Sequence, residues 1–314
     1  MTVFLSTINQ MGFLLLLILI GYILTRTDIV PTEGAGILSK LENNVFIPAL
    51  VLGTFMNNFT VKSMTESWKY VLCGTVVVAI SAVFAIFVSK LCSKEEYIQK
   101  IYTYGLSFSN FGFMGNAVVA ALFPDVFMEY LIYVIPFWVL IYVWGVPGLL
   151  MPKKEGKSNI AAGLKKLINP MFIGMIIGMI IGISGIKLPS FIGSAVGTLG
   201  DCMSPVAMLL TGMTIAKISL KTTLKNFSIY AVSVIRLLVM PLIGIAVLCF
   251  VELPYGVALC TVCALAMPLG LNTIVVPAAY GKDTSVAAGM ALISHLLSCI
   301  TIPVVFMFFN LIMK

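Results

Sequence analysis

Charged residues are scarce in this sequence. Only 10% of the 314 residues are Asp, Glu, Lys or Arg, whereas about 25% is usual in a soluble domain. Because 60% of the residues are hydrophobic, too few charges remain to cover a soluble protein, which excludes a cytosolic enzyme and a disordered chain. The net charge of +7 comes without a basic face or a stacking aromatic motif, which excludes a nucleic-acid-binding protein. We therefore expect a polytopic membrane protein.

Histidine is almost absent, and His295 is the single one. One histidine without a His-Glu-x-x-His motif argues against an intramembrane zinc enzyme. The chain also lacks a Gly-x-x-x-x-Gly-Lys-Ser/Thr loop, so ATP does not drive it directly. Cys260-x-x-Cys263 has redox or metal spacing, but without a second pair it is better read as two packing residues. We expect no enzyme, no metal site and no cofactor.

Long apolar runs, by contrast, are abundant. A helix that crosses a bilayer needs about 20 apolar residues. Ten stretches meet this requirement, at residues 4–24, 36–56, 69–91, 98–123, 127–150, 167–185, 190–216, 227–250, 254–280 and 285–312. Their length predicts an all-α protein rather than a membrane barrel, whose strands alternate over about ten residues. The first stretch has no basic segment before it and no clear cleavage site, so we interpret it as a retained transmembrane helix.

Lysine and arginine are distributed unevenly between these spans. Thirteen lie in the odd-numbered connections, and four lie in the even-numbered connections and the termini. Because positive residues favour the cytoplasmic side, this bias predicts a multi-pass protein of the plasma (cell inner) membrane with both termini outside the cytoplasm. Residues 151–166 then form a cytoplasmic linker between two five-span halves, 1–150 and 167–314.

An odd number of spans in each half makes the second half enter the membrane upside down, which is typical of transporters. Matching residues support such an inverted repeat. The pairs are Asn44 with Asp201 and Pro48 with Pro205, both 157 residues apart, and Asn116 with Asn272 and Pro147 with Pro303, both 156 apart.

Spans four and nine carry residues that interrupt helices at matching places. Glycine weakens a helix, and proline removes a backbone donor. In span four these interruptions and their polar neighbours are Ser109, Asn110, Gly112, Gly115 and Asn116; in span nine they are Pro268, Gly270, Asn272, Thr273 and Pro277. Paired interruptions indicate a binding site within the membrane, and half-helix N-termini favour an anionic group. The alternative is a pair of ordinary kinks used for close packing.

At these residues the chain resembles the auxin efflux carrier family, which includes the plant PIN exporters and bacterial malate or malonate permease-like proteins. The segment from Ser109 to Gly115 is similar to the family's Asn-x-Gly-Phe-x-Gly segment. Pro268 and Asn272 are similar to its Pro-x-x-x-Asn pattern, and Tyr280-Gly281-x-Asp283 follows. The resemblance implies ten helices in two inverted repeats with crossed, broken helices 4 and 9. Helices 1, 2, 6 and 7 would form a scaffold that often dimerises, and helices 3–5 and 8–10 a mobile transport domain.

The resemblance also implies a function. It predicts a secondary transporter that moves a small organic anion, a mono- or dicarboxylate, by elevator or rocking alternating access. The substrate would bind at the helix 4/9 crossing, beside Ser109, Asn110, Gly112, Gly115, Asn116, Ala117, Pro268, Asn272 and Thr273. The family's crossing prolines align with Ala117 and Thr273, whose N–H groups would add donors. Sodium-coupled bile-acid transporters share the fold, so a proton or sodium as coupling ion stays open, and a channel or sensor is a weaker alternative.

Further polar residues within the spans are candidates for ion coupling or counter-charge. Arg236 either balances an organic anion or extends to the cytoplasmic interface. Asp201, or its repeat mate Asn44, could serve a coupling ion or pair with a basic group. His295 suits a proton relay, although a lone histidine more often bonds a neighbour. Glu42 could likewise bind a proton or sodium, but we interpret it as a helix-end charge near water.

Span six contains Gly174, Gly178 and Gly182, whose spacing of four puts them on one helix face. Such a face allows close packing, either within the scaffold or between two copies of the chain. Packing within the chain is the simpler expectation. The expected partners are the organic anion, the lipid bilayer and a second copy in a homodimer through the scaffold helices; nucleic acid is not among them.

Overall fold

The computed structural model describes residues 2–31, 33–152, 160–186, 188–216 and 226–313. Within these ranges the chain is helical and has no strand longer than one isolated bridge. The helices are α1 (Thr2–Arg26), α2 (Gly34–Asn58), α3 (Val61–Cys92), α4 (Glu96–Ser107), α5 (Phe111–Leu122), α6 (Pro124–Leu150), α7 (Ile160–Lys165), α8 (Pro170–Ser184), α9 (Ser190–Ala216), α10 (Phe227–Leu248), α11 (Tyr255–Ala266), α12 (Asn272–Ala279) and α13 (Ser285–Ile312).

Seven of these helices, α1, α2, α3, α6, α9, α10 and α13, are long and apolar enough to cross a membrane. They coincide with seven of the ten predicted stretches, so the chain is an all-helical, multi-pass membrane protein. The other three stretches contain shorter helices. Stretch 167–185 holds α8, which has 15 residues. Stretches 98–123 and 254–280 each hold two helices separated by a break, because Asn, Gly and Pro interrupt the apolar run there.

The first packed group joins α1 to the Met203–Ala216 part of α9, and α8 to the part of α2 from residue 42 to 58. Glycines make the contact between α1 and α9. Gly212 of α9 lies against the carbonyl of Ile18, and Gly21 of α1 lies against the carbonyl of Leu209, so that a Cβ atom at either glycine would collide with backbone. Small residues let two transmembrane backbones approach in this way.

The glycine face of α8 packs against α2 in the same manner. A Cβ atom at Gly174 would lie 2.9 Å from the carbonyl oxygen of Pro48, and one at Gly178 would lie 2.8 Å from that of Leu52. Gly182 meets the carbonyls at the end of α2. The expectation that these three glycines serve packing within the chain is confirmed.

The second packed group surrounds the two breaks. α3 packs against α4 and α6, and α10 packs against α11 and α13, while α11 also contacts α3, α6 and α13. α5 reaches the first group by contacts with α1 and α9, whereas the main neighbours of α12 are α4, α6 and α13. The breaks therefore lie inside the second group, and only one of them reaches the first.

The predicted linker is described in part. α7 packs through Gly163 against the backbone of Tyr142 in α6. Several lysines that carry the predicted orientation lie outside the described residues, namely Lys153, Lys154, Lys157, Lys187, Lys217, Lys221, Lys225 and Lys314.

Candidate functional site

The first break separates α4 from α5. α4 ends at Ser107, and Phe108 is extended, with φ −123° and ψ 110°. Asn110 also leaves the helical region, with φ −77° and ψ 50°. α5 then begins with a π-helical turn, in which the N–H of Gly115 donates to the carbonyl of Asn110 at 2.9 Å. The polar Ser-Asn pair and the nearby glycines permit this irregular backbone.

The second break separates α11 from α12. Pro268 follows the end of α11, and the residue before a proline is driven out of the helical region. Met267 accordingly is extended, with φ −71° and ψ 149°. The chain passes through Leu269 and Gly270 before α12 begins at Asn272.

The two breaks lie side by side. The N–H of Asn110 donates to the carbonyl of Pro268 at 2.7 Å. Ser109 faces Leu269 in an isolated antiparallel bridge, and its hydroxyl donates to the carbonyl of Ala264 at 2.8 Å. The structure therefore brings predicted site residues from both halves of the chain into direct contact.

Backbone N–H groups are open where α5 and α12 begin. In the described part of the chain, the N–H groups of Phe111, Gly112 and Phe113 have no hydrogen-bond acceptor, and neither have those of Leu271 and Asn272. A helix start has orphan donors and carries a partial positive charge. Helix starts of this kind are the places where proteins commonly bind anionic groups.

Arg236, by contrast, caps the carbonyl ends of α4 and α11. Its Nη1 donates to the carbonyl of Leu106 at 2.8 Å, its Nη2 to that of Ala264 at 2.9 Å, and its Nε to that of Met267 at 3.3 Å. The side chain is completely buried. The alternative that Arg236 extends to the cytoplasmic interface is therefore wrong, because the guanidinium is enclosed between two helix ends.

His295 contacts Asn110. Its Nδ1 lies 2.7 Å from the carbonyl of Ala291, which can only accept, so Nδ1 carries the proton of the neutral ring. Its Nε2 then accepts from the side-chain amide of Asn110 at 3.0 Å. A candidate for coupling and a candidate for substrate binding are thus bonded to each other, and both are buried.

In the second break, the amide of Asn272 donates to the hydroxyl of Tyr104 at 2.9 Å. Tyr104 is not among the predicted site residues, because nothing in the sequence distinguishes it from the other tyrosines of α4. The Thr273 hydroxyl donates to the carbonyl of Gly270 at 2.9 Å, and its N–H faces the same carbonyl at 3.4 Å. The expectation of a free N–H at Thr273 is therefore wrong.

Four predicted residues lie further along α5. Gly112 packs against the ring of Trp138, and Gly115 packs against the hydroxyl of Tyr130, so both glycines allow close contact with α6. Asn116 and Ala117 are buried. In the described ranges the side-chain oxygen of Asn116 has no hydrogen-bond partner, which leaves it available to a ligand.

Three polar residues of the first group have no hydrogen bond to the breaks. The exposed Asn44 donates to the carbonyl of Lys40 at 2.8 Å, within its own helix. Asp201 is exposed at a turn in α9. Glu42 is completely buried, and its two carboxyl oxygens have no partner among the described residues. The interpretation of Glu42 as a charge near water is therefore wrong.

A wide apolar cleft lies elsewhere. It encloses about 590 Å³ between α3, α10 and α11, and it contains none of the predicted site residues. Its walls are nearly all apolar, with residues such as Leu72, Ile80 and Val247. A cleft of this chemistry does not suit a small anion.

Two comparisons with known proteins cover nearly the whole chain. A family model described as "Membrane transport protein" matches residues 6–306. An "Uncharacterized transporter" from Methanothermobacter thermautotrophicus is 24% identical over 309 residues, which are 96% of this chain and 98% of that protein. Both breaks lie within the matched regions.

Proposed function

Since the chain belongs to the auxin efflux carrier-like family of membrane transport proteins, we propose that it is a secondary transporter that moves a small organic anion by alternating access. The anion is a mono- or dicarboxylate, and it binds where the starts of α5 and α12 meet. One observation carries this proposal: the positive ends of the broken helices are open, whereas Arg236 caps their negative ends.

The energetics favour a carboxylate at this place. A buried donor without a partner costs about 1–3 kcal/mol, and five backbone N–H groups at the two helix starts have no acceptor among the described residues. A carboxylate accepts several hydrogen bonds at once, and each helix start adds roughly half a positive charge. Substrate binding therefore satisfies groups that the empty protein leaves unsatisfied.

The helix packing supports an arrangement of two inverted repeats, 1–150 and 167–314. A shift of five spans turns the pair α1 and α9 into the pair α8 and α2, and both pairs are in close contact. The same shift relates α3, with its neighbours α4 and α6, to α10, with its neighbours α11 and α13. On this proposal the two breaks are a crossing of helices related by a pseudo-two-fold axis.

The two packed groups fit the division into a scaffold and a mobile transport domain. α5 is held against α1 and α9, whereas α12 has its main neighbours within its own group. The scaffold therefore covers the site on the side of α5. Because the lysine bias puts the side of α12 in the cytoplasm, we assign this structure to an inward-facing state of the cycle.

Transport by purified protein in liposomes tests the proposal. We expect saturable uptake of at least one radiolabelled mono- or dicarboxylate under an imposed proton, sodium or voltage gradient. Asn110→Ala and Asn272→Ala should each abolish that uptake, because both side chains lie at the starts of the half-helices.

The matched control is Asn44→Ala, since Asn44 is exposed and bonds only within its own helix. It should transport at the normal rate. The two site variants should retain a sharp melting transition, which separates loss of binding from loss of folding. The proposal would be overturned if none of the tested mono- and dicarboxylates were taken up, or if both site variants showed normal uptake.

A further inference from the structure

Among the residues that the structure describes, none is an acidic partner of the buried Arg236 guanidinium. In the described part of the chain, the single ion pair joins Lys100 to Glu96. A buried charge in a membrane protein must nevertheless be compensated. The compensation here comes from the ends of α4 and α11, each of which carries about half a negative charge. One positive charge balances two half-charges, so Arg236 neutralises both helix ends together.

Three carbonyl oxygens converge on this guanidinium from two helix ends, those of Leu106, Ala264 and Met267. Carbonyls at unwound and C-terminal ends of half-helices are also the ligands with which sodium-coupled carriers hold their ion. We infer that Arg236 takes the place of that ion as a permanent part of the chain. The inference rests on the proposed transport function. It also addresses which ion is coupled to transport, because no metal cation is then needed at the breaks.

The local structure of α10 explains how Arg236 reaches this position. It lies in a π-helical turn, Ile235–Val239, which Pro241 follows. A π-helical turn inserts one extra residue and so redirects the side chains around it. The guanidinium is covalently part of the chain, so its charge cannot dissociate from the site during the cycle as a bound ion would.

A fixed positive charge at this place determines how much charge each transport cycle moves. Without a co-transported cation, each cycle moves the charge of the substrate alone. The inside-negative membrane potential then drives an organic anion outward and opposes its entry. The cycle is therefore electrogenic and favours export.

Two measurements on the unaltered protein test this. We expect anion efflux from liposomes to proceed equally well when sodium is replaced by choline, and to speed up when an inside-negative potential is imposed. We also expect the melting temperature to be the same in sodium and in choline. A sodium-dependent rise in either the efflux rate or the melting temperature would overturn the inference.

Arg236→Ala provides the sharper test. It leaves the carbonyl of Leu106 without its donor and that of Ala264 with the Ser109 hydroxyl alone, so the protein should melt at a lower temperature. Guanidinium, far below denaturing concentration, or sodium should raise that temperature, whereas choline should not. A purely structural arginine would give a variant that guanidinium restores and sodium does not, because guanidinium alone remakes the hydrogen bonds of the lost side chain; sodium rescue therefore decides. Arg26→Ala, which alters the one other arginine and an exposed one, should melt alike in all three salts.

These outcomes separate the inference from the proposed function. Sodium-dependent carboxylate transport would leave the function standing and refute the role of Arg236. Stabilisation of Arg236→Ala by sodium, without transport of any carboxylate, would support the role and refute the function. If Arg236→Ala does not fold, the measurements on the unaltered protein decide.

Discussion

The two breaks occupy matching places in the two halves, yet they are built differently. Asn116 comes seven residues after Ser109, whereas Asn272 comes three residues after Leu269. The first half therefore has an extra turn, the π-helical start of α5, between the contact of the breaks and the matching asparagine. A repeat in the sequence thus permits one additional turn of helix without loss of the contact between the breaks.

Their surroundings differ as well. The residues of α5 from Asn116 to Val119 are all buried, and Phe113 packs against Leu210 and Met213 of α9. In α12, Val275 is 52% exposed, and Ala278 is also exposed. One half-helix is fixed in a packed interior and the other borders open space. This difference teaches that a symmetric pattern of sequence can produce an asymmetric state, as alternating access requires.

Proline substitution should give the largest difference in stability between the two breaks. Ala117 is the seventh residue of α5, where proline removes a helical hydrogen bond and clashes with the preceding turn, at a cost of about 3 kcal/mol. Thr273 is in the first turn of α12, and its N–H makes a contact of 3.4 Å. We expect Ala117→Pro to unfold or melt far below the unaltered protein, and Thr273→Pro to lose about 1 kcal/mol or less. Equal melting of the two variants would refute the difference between the breaks.

Alanine at the glycines should give the next largest effect. A Cβ atom at Gly115 meets the hydroxyl of the buried Tyr130, and such overpacking costs about 1–3 kcal/mol. At Gly270 the nearest atoms are carbonyl oxygens at 3.3 Å, so Gly270→Ala should cost less. Denaturation of the purified variants measures both. Adding Tyr130→Phe should restore much of the stability of Gly115→Ala, and failure to do so would show that the hydroxyl is not the obstacle.

The smallest effect concerns the second break alone. Tyr104→Phe removes the acceptor of the Asn272 amide, and one such hydrogen bond is worth about 0.5–1.5 kcal/mol. We expect roughly a two- to tenfold loss of apparent substrate affinity, with little change in melting. Tyr142→Phe is the control, because the hydroxyl of Tyr142 has no hydrogen bond among the described residues. An unchanged affinity in Tyr104→Phe would remove Tyr104 from the site.

Local properties of the sequence account for the part of the structure that could be predicted. Apolar length located the seven long helices. Pro268 acts on the residue beside it, and Asn110 with the neighbouring glycines weakens its own segment, so both breaks were visible from composition alone.

The part of the structure that could not be predicted depends on contacts between segments that are distant in the sequence. Arg236 is separated from Leu106 by 130 residues, and Asn110 from His295 by 185. These hydrogen bonds form only when the helices have packed together. No local pattern of residue types predicts them. Glu42 is a similar case, because its burial follows from the neighbours of α2 rather than from its own position near the start of that helix.

The glycine contacts of the first packed group have a mechanical consequence. Where Gly212 and Gly174 meet carbonyls of the opposite helix directly, no side chain lies between the two backbones to change its rotamer. Sliding one helix along the other would drive backbone into backbone within a fraction of a turn. These two helix pairs therefore resist shear and form a stiff frame. In the proposed transport cycle, displacement would then occur at other contacts between helices, such as that of α1 with α13.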